Sequence, residues 1–230
     1  MPLAGFPYHQ LDAYLHKMVK AGHRVVIVEQ MEDPKKAKGL VKRDVSRIVT
    51  AGTDPAAIEG DEPRTAMIGA LIRGDRKWGF AWADIGTGEF STGEFDEEEL
   101  GLILGQVNPV EIVVPEGSPD TGPSFAERKA PPIVSKVEDW IWEASFARQT
   151  LVEHFKTAGL KGFGVEGLDR AVSAAGALLH YLKGNLRTAV QHLTRLSRAV
   201  VGGWLIIDAN SIRNLELVES LAGNPRATLF

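Results

Sequence analysis

Leu11, Tyr14, Leu15, Met18 and Val19 recur at i, i+3, i+4, i+7 and i+8, the apolar stripe of an amphipathic helix. Ala21-Gly22 closes it, and residues 24–29 (RVVIVE) form a nearly continuous apolar run, the pattern of a short strand. Asp33-Pro34 sets an N-cap residue before proline at the first helical position, which predicts a short lysine-rich turn ending at Gly39. A second strand is predicted over residues 44–50. Residues 51–64 (AGTDPAAIEGDEPR) hold Gly, Pro and acids without periodicity and read as a linker.

From Ala66 the pattern changes. Predicted strands at 67–73 and 77–85 flank Gly74-Asp75, a hairpin signal, and a third at 89–95 follows Gly86-Thr87-Gly88. An acidic helix at 96–106 leads through Asn108-Pro109 into a buried-type strand at 110–114. Three strands, a helix and a fourth strand predict an α/β unit with mixed pairing. Residues 115–137 contain five prolines and read mostly as loop. Two helices follow, at 146–158 with Leu151, Val152 and Phe155 on one face, and at 168–182, whose small residues (AVSAAGALL) suit close packing on a sheet. Residues 184–194 read as a second connection. A strand at 199–207 then precedes a helix opening near Asp208-Ala209-Asn210, with Ile212, Leu215 and Val218 as its stripe. That helix has no following element to pack on, so a chain cut from a longer one is expected.

Composition narrows the class. The 230 residues are 44% hydrophobic and 24% charged, an ordinary globular balance that allows one or two domains. The absence of cysteine excludes disulfides, Cys-ligated zinc, iron–sulfur clusters and a thiol nucleophile. No run approaches the roughly 18 apolar residues of a membrane span, and no secretory pattern opens the chain, so a cytoplasmic location is expected. The net charge of -4 conceals an asymmetry. Residues 1–52 hold nine Lys/Arg against five acids, a balance of +4 that leaves -8 for residues 53–230. Such a split suggests that one part meets a polyanion; a solvated lysine-rich face is the alternative.

An ordered set of motifs carries a resemblance. Gly5-Phe6-Pro7-Tyr8-His9, Val28-Glu29-Gln30, Asp33-Pro34, Ala37-Lys38-Gly39, Val41-Lys42-Arg43, Arg47-Ile48-Val49-Thr50 and Gly52-Thr53 resemble the MutS family of DNA mismatch-repair proteins. Gly162-Phe163-Gly164-Val165-Glu166, Ala174-Ala175-Gly176, Asp208-Ala209 and Arg213-Asn214-Leu215-Glu216-Leu217 continue it in the same order. The resemblance implies an α/β chain of three parts. Residues 1–52 would be the C-terminal half of a mismatch-binding domain, small and mixed α/β, joined by a linker at 53–64. Residues 65–194 would be a connector domain of ribonuclease-H-like fold, and 195–230 the short start of a helical core. It also implies double-stranded DNA and a MutL-type repair protein as partners, dimers of the full-length protein, and ATP and Mg supplied by a C-terminal ATPase domain.

Two family features are missing from the sequence. The family's Phe-x-Glu wedge should lie upstream of Gly5, whereas Phe95-Asp96-Glu97 and Phe125-Ala126-Glu127 fall in the connector-like part. No Gly-Lys pair occurs, so no P-loop can form and no cofactor or catalytic residue is expected in this chain. The remaining chemistry is a basic run, Lys35, Lys36, Lys38, Lys42, Arg43 and Arg47, six cations with one acid (Asp44) in thirteen residues. Such cations pair with phosphates irrespective of sequence. A ribonuclease-H-like fold also raises a metal-dependent nuclease as the alternative, with Asp84, Glu111 and Glu166 as its carboxylates. Against that, Asp84 would cap a turn and Glu166 would open a helix. The third reading is a protein-interaction module, with Glu153 and His154 standing where the resemblance implies a MutL-facing surface. His180 is expected to be partly buried and hydrogen-bonded, and Trp140 and Trp142 to pack.

Overall fold

The computed structural model describes residues 8–32, 39–53, 67–118, 131–186, 190–201, 211 and 214–216. The N-terminal part is small. Helix α1 (Leu11–Lys20) lays Leu15 and Val19 against Val49 of a two-stranded antiparallel sheet, β1 (Val25–Gln30) and β2 (Arg43–Val49). The predicted stripe supplies this contact, although Tyr14 at its margin is 42% exposed. The predicted turn at Asp33-Pro34 lies outside the described residues.

The larger part is built on a six-stranded mixed sheet. β3 (Met67–Arg73), β4 (Trp78–Asp84) and β5 (Phe90–Phe95) form an antiparallel meander. Helix α2 (Glu97–Val107) then crosses to β6 (Glu111–Pro115), which pairs parallel with β3, and β7 (Ile133–Val137) adds parallel to β6. A short β8 (Ser197–Arg198) closes the far edge beside β5, giving the order β7-β6-β3-β4-β5-β8. β4 is central and buried along its length, so its run WGFAWAD needs apolar character on both faces.

Each hairpin has a local cause. Gly74 N–H donates to the Lys77 carbonyl at 2.8 Å in the first turn. In the second, Asp84 Oδ1 accepts Gly86 N–H at 2.8 Å, and Gly88 takes φ of 80°, open to glycine without strain. Helix α2 starts from a complete capping box: Asp96 accepts Glu99 N–H while the Glu99 carboxylate accepts Asp96 N–H.

Helices cover both faces. α2 packs Leu100 and Leu104 onto Leu71, Phe80, Trp82, Ile112 and Val114. On the opposite face lie α3 (Ala144–Phe155) and α4 (Asp169–Leu186). α4 is buried almost all round because it sits between sheet and α3; a Cβ on Gly176 would strike the backbone of Ala147. The small-residue run is therefore what lets three layers approach.

Three sequence expectations are corrected. Residues 133–137 are a strand, not loop. The helix expected to stop at 182 continues to Leu186, since its last turn is held by the N-terminal part. The described portion of the strand expected at 199–207 is irregular, and edge pairing occurs at Ser197–Arg198 instead; residues 202–210 lie outside the described residues.

Candidate nucleic-acid interface and the seam behind it

Of the basic run, Lys35, Lys36 and Lys38 lie outside the described residues. Lys42 and Arg43 are exposed where β2 begins, and Lys42 N–H donates to Glu32 Oε1 at 3.3 Å across the strand ends. A bulge interrupts the ladder: Val28 pairs with Val45 but Ile27 pairs with Arg47. The extra residue, Ser46, reverses the alternation, so Arg43 and Arg47 lie on opposite faces although four residues separate them. Arg47 shares the α1 face with Ile27 and Val49 and is half-buried. The run is thus not one stripe. Lys17 and Lys20 on α1 are exposed too, and sequence reasoning passed over them because their helix reads as amphipathic core.

Behind these cations the small part is seated on the sheet. Residues 50–53 make a closed turn in which Thr50 N–H donates to Thr53 Oγ at 2.8 Å, and Thr53 N–H donates to the Thr50 carbonyl at 3.1 Å. Both threonines are buried. Gly52 rests on Ile68 of β3, where a Cβ would come within 2.8 Å of the Ile68 Cβ. Its N–H donates to Glu111 Oε2 at 2.8 Å. The other oxygen, Oε1, accepts Ser135 Oγ and Tyr181 Oη, each at 2.6 Å. Glu111 is wholly buried. Burial, and then the Glu111 charge and hydrogen bond, push the Tyr181 phenol up to about 12, so it stays a donor at neutral pH. Arg24 lies over the Tyr181 ring, 5.7 Å from its centroid, and donates to Asn185 Oδ1 at 2.9 Å. Beside it opens a cleft of about 400 Å³ lined by Arg24, Ile48, Lys136, Glu138, His180 and Asn185.

The family model for MutS domain I matches residues 1–55, and that for MutS domain II matches residues 66–194. The chain belongs to the MutS family. It is 38% identical over 226 residues to a DNA mismatch repair protein MutS of Flavobacterium psychrophilum, covering 98% of this chain and 26% of that protein. It is 37% identical over 224 residues to the protein of the same name from Dehalococcoides mccartyi, covering 97% of this chain and 26% of that one. The chain thus spans about a quarter of the length of the curated relatives it matches.

Within this MutS chain the carboxylates of the nuclease alternative do not converge. Glu111 pairs with Ile68, which pairs with Ala83, so Glu111 shares the α3/α4 face and Asp84 the α2 face. Asp84 caps its turn, as the sequence suggested. Glu166 does not open a helix: it lies before α4 and pairs with Arg148 at 2.9 Å. No cluster of three metal-binding side chains occurs among the described residues. Of the two Phe-x-Glu strings, Phe95 is buried in the sheet core and Asp96 is an N-cap; Phe125 lies outside the described residues.

Glu153 is exposed and accepts Gln149 Nε2 at 2.8 Å, while His154 Nε2 meets the Leu193 carbonyl at 2.8 Å. Both line a pocket of about 620 Å³ with Phe155, Lys156, Lys183 and Gln191. Burial holds the His154 ring below the usual histidine range, with Leu193 opposing and Lys183 assisting. A neutral ring donating through Nε2 fits that contact. His180 is likewise lowered by burial, but its neighbours are the edges and faces of Trp140 and Phe146. Trp142 is buried in the helix-side core, and Trp140 is half exposed. No helix among the described residues is long and apolar enough to cross a membrane.

Proposed function

We propose that this chain serves a DNA mismatch-repair protein as backbone-gripping segment and connector, without reading the mismatch itself. Residues 1–52 hold the DNA-facing cations, 53–64 link, 65–194 act as connector and 195–230 begin the core. The observation that carries this reading is an exposed Lys42-Arg43 pair on a small unit hydrogen-bonded to a much larger mixed sheet. Cations at a strand end meet phosphates as point charges, which position a protein on duplex without specifying a base. Lys35, Lys36, Lys38 and Arg47 belong to the same proposed contact, with Arg47 the least accessible of those described. ATP and Mg belong in this reading to another part of the full-length protein, because no Gly-Lys pair exists in this sequence to build a phosphate loop. A MutL-type partner would meet the surface at Glu153 and His154, and the full-length protein would act as a dimer in the cytoplasm.

The test is duplex binding by the purified chain across a salt series. The expected outcome is non-specific affinity of roughly 10⁻⁴–10⁻⁶ M near physiological salt. Perfect and G·T-mismatched duplexes should bind alike, within about twofold. Lys42→Ala or Arg43→Ala should each reduce the log–log salt slope by about 1. A clear preference for the mismatch, or an unchanged slope in both variants, overturns the assignment.

A further inference from the structure

The seam contains a charge that the core of the larger part does not need. Glu111 is wholly buried, where an unpaired carboxylate is costly, yet it opens a strand otherwise made of Ile112, Val113 and Val114. Its three donors come from three separate places: Gly52 on the N-terminal part, Ser135 on β7 and Tyr181 on α4. Two belong to the sheet domain and orient the carboxylate; the third belongs to the segment leaving β2. The geometry is also asymmetric. At Glu111 the parts meet almost without space, around a cavity of about 30 Å³, whereas the cleft beside Arg24 and Asn185 is about 400 Å³. Gly52 packs directly on Ile68, so no larger residue fits at that point of the seam without displacing it. Arg24 spans from the start of β1 to Asn185 across Tyr181, a second tie on the open side.

We propose that Glu111 and Tyr181 are positioning residues: Glu111, oriented by Tyr181 and Ser135, pins the Gly52 N–H and with Arg24–Asn185 fixes the angle between the cation-bearing unit and the connector. The proposal rests on the two-part reading above, and goes further by naming what sets the relation between the parts. A buried charge that loses one partner is strongly destabilising in its paired position, so the carboxylate tolerates one orientation of Gly52 and few others. An apolar residue of similar size would keep the packing and lose that selectivity.

The chain has no native cysteine, so two introduced cysteines can be spin-labelled without background. Val28→Cys on β1 and Glu98→Cys on α2, both exposed, report the inter-unit distance; Glu98→Cys with Lys161→Cys reports the connector alone. Measured without DNA, the first pair should give one narrow distance distribution. Glu111→Leu should broaden it by about twofold or more while the connector pair stays unchanged. If Glu111→Leu does not fold, Arg24→Ala, on an exposed side chain, replaces it and should broaden the first pair alone. An unchanged inter-unit distribution in the folded variant, or equal broadening of both pairs, overturns the proposal. Failure of the DNA reading would leave these distances untouched and show itself only in the salt series.

Discussion

Thr92 shows how one buried hydroxyl joins layers. It is fully buried, and its Oγ lies 3.1 Å from the Phe80 carbonyl and 2.9 Å from that of Ala171, linking β5 to both β4 and the first turn of α4. Thr92→Val preserves shape and removes the only donor, so it should cost about 1 kcal/mol, read as a lower urea midpoint at unchanged m-value. At this scale the sequence was unevenly legible. Asp84 as a turn cap could be read, because its partners at Gly86 and Thr87 are two and three residues away. The role of Glu111 could not, because its donors are 59, 24 and 70 residues distant in sequence. Lone acids in apolar strands invite a metal-site reading; only the face each occupies, set by register, separates a structural carboxylate from a catalytic one. Glu166 misled for a related reason, since its partner Arg148 lies on α3, 18 residues away in sequence.

Elements defined by short-range chemistry were the legible ones. Both hairpins, the capping box of α2 and the stripe of α1 depend on residues within four positions. β7 was not legible: Ile133-Val134-Ser135-Lys136-Val137 alternates for five positions behind a proline-rich stretch, and its pairing with β6 is parallel and distant. The bulge at Ser46 also escaped, and with it the separation of Arg43 from Arg47. The fit of α3 against α4 makes a paired prediction at the element scale. In a helix, Gly→Ala alone gains up to about 1 kcal/mol by reducing unfolded-state entropy. At Gly176 the new Cβ meets Cα, Cβ and carbonyl oxygen of Ala147, mostly backbone that cannot rotate away. Overpacking costs of about 1–3 kcal/mol should therefore win, and Gly176→Ala should lower stability. At Gly105 of α2 a Cβ meets nothing within 4 Å, so Gly105→Ala should raise it. Urea midpoints of the two variants should move in opposite directions; movement in the same direction would mean that helix propensity, not layer spacing, governs both sites.

Across the whole molecule, two histidines tie the pH response to contacts between layers rather than to net charge. His154 joins α3 to the segment preceding β8, and His180 sits on α4 against Trp140 and Phe146. Burial is the leading cause of the lowered pKa at both. For His180, Glu138 opposes and Lys183 assists; for His154, the Leu193 carbonyl opposes and Lys183 assists. Lys183, itself lowered by partial burial and opposed by Glu153, is thus the charge that assists the lowering at both rings. The sign follows from linkage. A histidine whose folded pKa lies below its unfolded value near 6.5 binds fewer protons when folded, so protonation favours the unfolded chain. The stabilisation is complete above that unfolded value and is lost as pH falls through it toward the folded pKa. Urea midpoints should thus fall between about pH 7.5 and pH 5.5, before most carboxylates titrate. A His154→Gln/His180→Gln chain keeps a side-chain donor at each position but cannot charge. Its midpoint should decline less over the same interval, and the difference between the two curves isolates the histidines from every other titrating group. Parallel curves would mean that both rings protonate in place without disturbing α3 and α4. A steeper decline in the double variant would instead show that the charged rings stabilise the fold, reversing the assigned sign.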